Sequence, residues 1–217
     1  MKAPKKVLGA AMVLLALVLL GGAATAQELK TIALPAPQTY GGKPLMEALA
    51  LRYTSRSFAR EELPAQTLSN LLWAAWGINR PTEGKRTAPS ASNWQEIDIY
   101  VVMSSGAYVY DALTNALKPV VGGDFRALAG KQPFVKDAPV TLVFVADATR
   151  MKAGELSESI KWADTAFISE NVYLFAASEG LATGIRANVD RAALAKALLL
   201  KTDQSITMAQ SIGFPKK

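Results

Sequence analysis

Pro139–Ala146 reads PVTLVFVA, a nearly continuous apolar run rich in β-branched residues. Such a run, without polar alternation, predicts a central strand buried on both faces. Downstream, a long helix is expected over Glu158–Glu179. Its Phe167, Ile168, Val172, Tyr173, Leu174, Phe175 and Ala176 fall on most of its sides. A helix apolar nearly all round must be buried in a large core or against a partner subunit, and in a domain this small a partner is the more economical reading. Asp190–Leu199 predicts a further helix capped by Asp190, and Ser205–Ile212 a last strand. Upstream, Glu96–Met103 (EIDIYVVM) reads as a strand that pairs with Ala107–Tyr110 through a Ser-Ser-Gly turn. Pro64 opens a helix whose buried face is Leu68, Leu71, Leu72, Ala75 and Trp76, ended by Gly77. Pro44–Tyr53 reads as a shorter helix, with Leu45, Ala48 and Leu49 at helical spacing. Between helix and strand, Asn79–Gln95 reads as a long polar loop of a kind uncommon unless it binds something. Glu28–Lys43, with Pro35, Pro37, Gly41 and Gly42, reads as an arm over the surface. Interspersed helices and strands, some strands adjacent in sequence, predict one α+β domain with a mostly antiparallel sheet flanked by helices.

The chain has 217 residues, 24 Lys+Arg against 18 Asp+Glu, and neither His nor Cys. Without His there is no Ser-His-Asp or Cys-His triad and no zinc site of the usual kind. Without Cys there is no disulfide, thiolate nucleophile or iron–sulfur ligand. An enzyme of this composition leans on carboxylates, cations, hydroxyls or a borrowed cofactor, and no metal site is expected. Met1–Gln27 reads as an export leader. Lys2, Lys5 and Lys6 precede the apolar Val7–Leu20, and Ala24-Thr25-Ala26 forms an A-x-A cleavage site. This divides the chain into a signal peptide (1–26), an arm (27–43) and a folded domain (44–217), exported to the periplasm or secreted. The apolar run is short for a span, so no stable membrane insertion is expected after cleavage; the competing reading is an uncleaved N-terminal anchor. Part of the +6 net charge leaves with the leader, and the remainder forms no basic stripe of the kind nucleic acid requires.

Four segments carry candidate chemistry. Arg52-Tyr53-Thr54-Ser55-Arg56-Ser57-Phe58 brackets hydroxyls and backbone N–H groups with two guanidiniums, an arrangement suited to a terminal phosphate. The competing reading is a solvated helix end with cations near the C-terminal dipole. Pro89-Ser90-Ala91-Ser92-Asn93-Trp94-Gln95 offers small residues for close approach and amides that suit a flat heterocycle with mixed donor and acceptor edges. It reads equally as an ordinary Ser/Asn/Pro loop. Gly180–Asp190 links the long helix to the next, with Gly180 a natural C-cap. Gly213-Phe214-Pro215-Lys216-Lys217 ends in lysines that either fray into solvent or supply charge to a phosphate.

In order and spacing the four segments resemble the nitroreductase family of flavoproteins, particularly the branch with the SagB-type dehydrogenases and thiazoline oxidases. Arg52–Phe58 is similar to the family's R-[RH]-S-x-[RK]-x-F signature, with Thr54 preserving the hydroxyl of the usual Ser. Arg86-Thr87-Ala88-Pro89-Ser90, with Asn93 and Gln95, resembles P-S-x-x-N-x-Q. Gly180–Asp190 resembles the loop beside the flavin's reactive edge, although Ala187 lacks the usual acid and Asn188 stands where many relatives have Gly. The ending I-G-F-P-K resembles the family's last strand and turn. Many relatives have a later C-terminal cation, for which Lys216 or Lys217 would substitute.

The resemblance implies a nitroreductase-like homodimer with FMN bound non-covalently at its interface. Arg52, Tyr53, Thr54 and Arg56 would then hold the phosphate. Ser90, Ala91 and Asn93 from the other subunit would read the ring, and the backbone at Arg186, Ala187 and Asn188 would bond its edge. Arg186 and Arg86 become candidates for a cation near the pyrimidine. The flavin carries the chemistry, so no catalytic side chain is implied. Ping-pong turnover is expected, with NAD(P)H or quinol as donor and a nitroaromatic, quinone or thiazoline-like ring as small-molecule acceptor. Two other functions fit the same residues: an exported protein of this fold that binds FMN without turnover, and a flavin-free binding or structural protein.

Overall fold

The computed structural model describes residues 29–152, 154 and 156–217; the export-leader reading lies outside them. In chain order the elements are β1 (Ile32–Ala33), α1 (Leu45–Leu51), α2 (Ala65–Trp76), β2 (Ile78–Arg80), β3 (Lys85–Arg86), β4 (Ile97–Met103), β5 (Gly106–Asp111), β6 (Ala116–Gly122), β7 (Val140–Asp147), α3 (Ser157–Glu179), β8 (Ala182–Arg186), α4 (Arg191–Ala197) and β9 (Gln204–Gly213). Seven strands form one sheet in the order β1-β6-β5-β4-β7-β9-β8, every neighbour antiparallel. The mostly antiparallel α+β expectation therefore holds.

The position of β7 explains its composition. It lies between β4 and β9, and all its residues but Asp147 are buried. Leu142 and Phe144 point with Ile97, Ile99 and Val101 into the core under α2 and α3. Val143 and Val145 point with Tyr100 and Val102 into a second core under α4. Both sides of the pleat are apolar because both are covered.

The helices begin and end as their sequences dictate. Pro64 stands at the N-cap of α2, where its missing N–H costs nothing. Gly77 ends the helix, and a Cβ there would strike Trp73. Leu68, Leu71, Leu72, Ala75 and Trp76 are buried together, as their spacing predicts. Gly180 closes α3 in the left-handed conformation, φ 68°, which glycine adopts without strain. The Asp190 side chain accepts the Ala193 N–H at 3.1 Å and so caps α4. Among the described residues no helix is long and apolar enough to cross a membrane.

The structure departs from the sequence-based expectations in several places. Residues 79–95 are not a structureless loop: Arg80 and Lys85 pair in a β2–β3 hairpin, and Ala91–Asn93 form a 3-10 turn. The link after Gly180 contains β8, an edge strand whose Gly and Arg hide its periodicity. The unpredicted β6 carries Pro119 opposite Tyr108, beside a register shift, where proline is tolerated. The arm contributes β1, which covers the outer edge of β6. On α3, burial is one-sided: Ile168, Val172, Tyr173 and Ala176 face the core, whereas Phe167 is 47% exposed.

Candidate functional site

The Arg52–Phe58 turn leaves α1 and lies along the free edge of β8. The Ser55 N–H donates to the Thr183 carbonyl at 2.8 Å. Glycine at 184 permits this approach, since a Cβ there would stand 2.6 Å from the Ser55 carbonyl oxygen. Tyr173, from α3, fastens the junction. Its hydroxyl accepts the Ile185 N–H at 3.1 Å and bonds Thr54 Oγ1 at 3.0 Å. Since the oxygen accepts from Ile185, its own proton is available to Thr54. The Arg52 guanidinium lies 5.3 Å from the same ring's centroid, a cation–π contact. In the sequence Tyr173 reads as one more apolar helix residue, and no local pattern distinguishes its hydroxyl.

The C-terminus joins this turn. Phe58 bridges to Pro215, and the Ala59 N–H donates to the Phe214 carbonyl at 2.9 Å. Lys216 therefore continues directly beside the Arg56 segment. Among the described residues, no salt bridge engages Arg52, Arg56 or Lys216. Arg56, Tyr53 and Thr54 are exposed.

The Pro89–Gln95 segment is held against its own preferences. Ser92, Asn93 and Gln95 have φ of 51°, 56° and 50°, each costing about 1–2 kcal/mol for an L-residue. Strain of this density persists only where surroundings impose it, and it concentrates at functional sites. The constraints are visible. The Gln95 N–H donates to Ser90 Oγ at 2.8 Å, and the Ala91 N–H to Asp164 Oδ2 at 2.9 Å. The Gln95 side chain is consumed internally, accepting from Arg86 Nε at 2.7 Å and donating to Gly84 O and Asn93 Oδ1. Arg86 also donates to the Trp76 carbonyl and stacks on the Trp76 ring at 4.8 Å; burial lowers its pKa. Gln95 therefore shapes the loop, leaving Ser90 and Asn93 beside a cavity of about 200 Å³ also lined by Arg80, Lys85 and Arg86.

Arg186 is buried. Its guanidinium donates to Ala129 O at 2.8 Å, Gly184 O at 3.3 Å and Ser211 Oγ at 2.8 Å, and burial brings its pKa down to about 10. This side chain braces β8 from within, and its guanidinium is committed there. Ala187 and Asn188 are exposed at the strand's end. Beside them the Lys131 N–H donates to the Asn188 carbonyl at 3.3 Å. The adjacent Gln132 has a buried Oε1 without a partner. Lys131 and Gln132 belong to none of the motifs in the sequence. Among the described residues no cluster of three or more Asp and Glu side chains could hold a metal.

Within one chain these pieces form two groups. Arg52, Thr54 and the β8 backbone at Ile185 meet at Tyr173, with Tyr53 and Arg56 in the same turn and Lys216 following the Phe58–Pro215 bridge. Ser90, Ala91 and Asn93 gather near Asp164, nine residues earlier in α3, about 13.5 Å along the helix axis at 1.5 Å per residue.

Comparison with known proteins gives this arrangement its context. Residues 49–214 match the nitroreductase family. A nitroreductase homologue of Methanocaldococcus jannaschii is 29% identical over 151 residues, which cover 64% of this chain and 76% of that one. The crystal structure of a nitroreductase homologue from Ralstonia eutropha superposes with a TM-score of 0.84 at 39% identity, covering 89% of this chain and 92% of the other. The Escherichia coli microcin synthetase McbBCD complex shares the fold at a TM-score of 0.67 and 18% identity, covering 93% of this chain and 84% of its own. With the match spanning both the Arg52 turn and the strand that leads to Pro215, the chain belongs to the nitroreductase family.

Proposed function

We infer that two copies of this chain jointly bind FMN and that the loaded protein is an oxidoreductase acting on a small organic acceptor. The observation that carries this reading is the rim of Arg52, Thr54, Arg56 and Lys216, fixed along β8 and free of carboxylate partners among the described residues. A phosphate monoester, nearly dianionic at neutral pH, suits this rim because guanidinium offers paired, charge-assisted donors. The residues present also fit the ring. Gln132 Oε1 is buried without a partner, and the exposed residues Ala187 and Asn188 follow β8, where the Asn188 carbonyl accepts the N–H of the adjacent Lys131.

Bound flavin supplies the electron-transfer chemistry, so a chain without His or Cys suffices. The protein's part is to hold and orient. Arg52, Thr54 and Arg56 grip the phosphate, Tyr173 fixes Thr54, and Lys216 adds charge. The backbone at Ala187 and Asn188 aligns the ring edge, and Ser90, Ala91 and Asn93 come from the other copy.

The dimer reading rests on exposed apolar residues. Leu45 and Met46 of α1 are 62% and 75% exposed, and Leu49 and Phe167 are exposed as well, on helices that pack together. Such patches mark interfaces. Antiparallel pairing of two α3 helices about Phe167 would bring the Ser90 loop of one copy to the Arg52 turn of the other.

The order of the motifs supports a SagB-like acceptor chemistry on a nitroaromatic, quinone or thiazoline-like ring. The leader-like Met1–Gln27 supports export, which would place the protein away from cytoplasmic NAD(P)H and make a quinol the alternative donor. Absorption spectra taken before and after adding each donor test the reading. Flavin absorbance that a donor bleaches and an acceptor restores supports an enzyme. Retained flavin that no donor bleaches favours a non-catalytic FMN-binding protein. A colourless protein that FMN cannot reconstitute defeats both.

A further inference from the structure

Behind the strained loop lie two acids that the function above does not use. Glu96, at the entry to β4, is fully buried, and Asp164, on α3, is 2% exposed. Asp164 is the neighbouring acid that helps raise the Glu96 pKa, and two carboxyls can bond each other only with a proton between them. Each also holds the loop. Glu96 Oε2 accepts from Ser90 Oγ at 3.3 Å, and Asp164 Oδ2 accepts the Ala91 N–H at 2.9 Å. Glu96 Oε1 is buried without a partner, which leaves it free to carry a proton toward Asp164. The Ser90 hydroxyl in turn accepts the Gln95 N–H at 2.8 Å, so the bonds from the acids hold both ends of the segment that contains the three residues of positive φ.

We propose that Glu96 and Asp164 are positioning residues that share one proton and thereby clamp the Ser90–Gln95 loop in its ligand-reading shape. The importance of that shape for flavin rests on the function proposed above; the clamp itself does not.

The surrounding charges leave the proton in place. The Arg150 guanidinium reaches the backbone carbonyls of Gln95 and Glu96 at 2.9 and 3.1 Å, and its carboxylate partners are Asp98 and Asp147. Arg86, from β3, is bonded to Gln95. Lys161, one turn before Asp164, is paired with Glu158. Thr165, beside Asp164 on α3, bonds Thr207 of β9. Each of these cations is thus engaged elsewhere, and burial, followed by the neighbouring Asp164 charge, pushes the Glu96 pKa up. A carboxyl raised in the folded state contributes its stabilisation at low pH and loses it as pH rises through the raised value. Two buried like charges then oppose each other, and the loop is released.

The test follows amide exchange at Ala91 and Gln95 in flavin-free protein across pH, corrected for intrinsic rates, together with FMN affinity. In wild type, protection should fall with rising pH, and the FMN dissociation constant should increase by up to tenfold per pH unit above the Glu96 transition. Glu96→Gln keeps a neutral donor toward Asp164 and should flatten both profiles while retaining protection. Equal slopes in wild type and Glu96→Gln overturn the proposal. Should that variant fail to fold, infrared spectra of wild type decide. A protonated-carboxyl band that vanishes as protection is lost supports the clamp, and absence of such a band at neutral pH overturns it. Amide profiles as expected in a protein that binds no FMN at any pH would uphold the clamp and refute the flavin reading.

Discussion

Tyr173→Phe removes one oxygen and leaves the ring under Arg52. The hydroxyl it deletes accepts the Ile185 N–H and bonds Thr54 Oγ1, so the change frees two groups at once. Ile185 lies on β8, whose other side is taken by β9, and Tyr173 itself is 6% exposed. The Ile185 N–H is therefore left facing a phenyl ring that offers no acceptor oxygen. An orphaned buried donor costs about 1–3 kcal/mol. For a domain of this size each kcal/mol lowers Tm by about 2–4 °C, so a fall of several degrees is expected. The urea midpoint should drop with an unchanged m-value, since the surface exposed on unfolding is the same. Thr54→Ala alone should cost less, because it leaves the Ile185 bond intact. The double variant should be non-additive by about 0.5–3 kcal/mol, as expected for groups sharing a partner. Wild-type stability in Tyr173→Phe, or strict additivity with Thr54→Ala, would refute the role assigned to this hydroxyl.

Other outcomes follow from the same geometry. The double variant Arg52→Ala, Arg56→Ala should weaken FMN binding far more than riboflavin binding, by about 1.5–3 kcal/mol for each charge-assisted hydrogen bond removed; calorimetric titration with both ligands measures the difference, and equal weakening of the two would reject the phosphate assignment. Gly184→Val places side-chain atoms where a Cβ already stands 2.6 Å from the Ser55 carbonyl oxygen. It should destabilise the fold by about 1–3 kcal/mol and weaken FMN binding beyond that, read by denaturant melts and titration. Phe144→Ala, in a fully buried side chain, should cost about 3–5 kcal/mol while leaving the FMN affinity of the remaining folded fraction unchanged.

The legible parts of this chain are those where one local force dominates. The α2 face and the two-sided burial of β7 follow from apolar spacing alone, and the Gly180 and Asp190 caps follow from residue type. β8 and β6 are invisible for the opposite reason. Thr183-Gly184-Ile185-Arg186 carries no alternation because Gly184 is selected by the Ser55 approach and Arg186 is satisfied by the distant Ala129 carbonyl and the Ser211 hydroxyl of β9. Pro119 argues against a strand until its partner's irregular register is seen. At the site, the Arg52 turn is readable because its chemistry is contiguous. Tyr173, Lys131 and the Glu96–Asp164 pair act through contacts across long stretches of sequence, and a single chain read linearly gives them no signature. The hairpin at 78–86 is hidden because the pairing of Ile78 with Arg86 carries no apolar pattern.

Whether two copies together hold the flavin is tested most directly by native mass spectrometry of the purified, FMN-reconstituted protein. The expected species is a dimer carrying two FMN molecules, with FMN released as the dimer dissociates. A monomer that retains FMN, or a dimer that carries none at saturating FMN, would contradict the shared site.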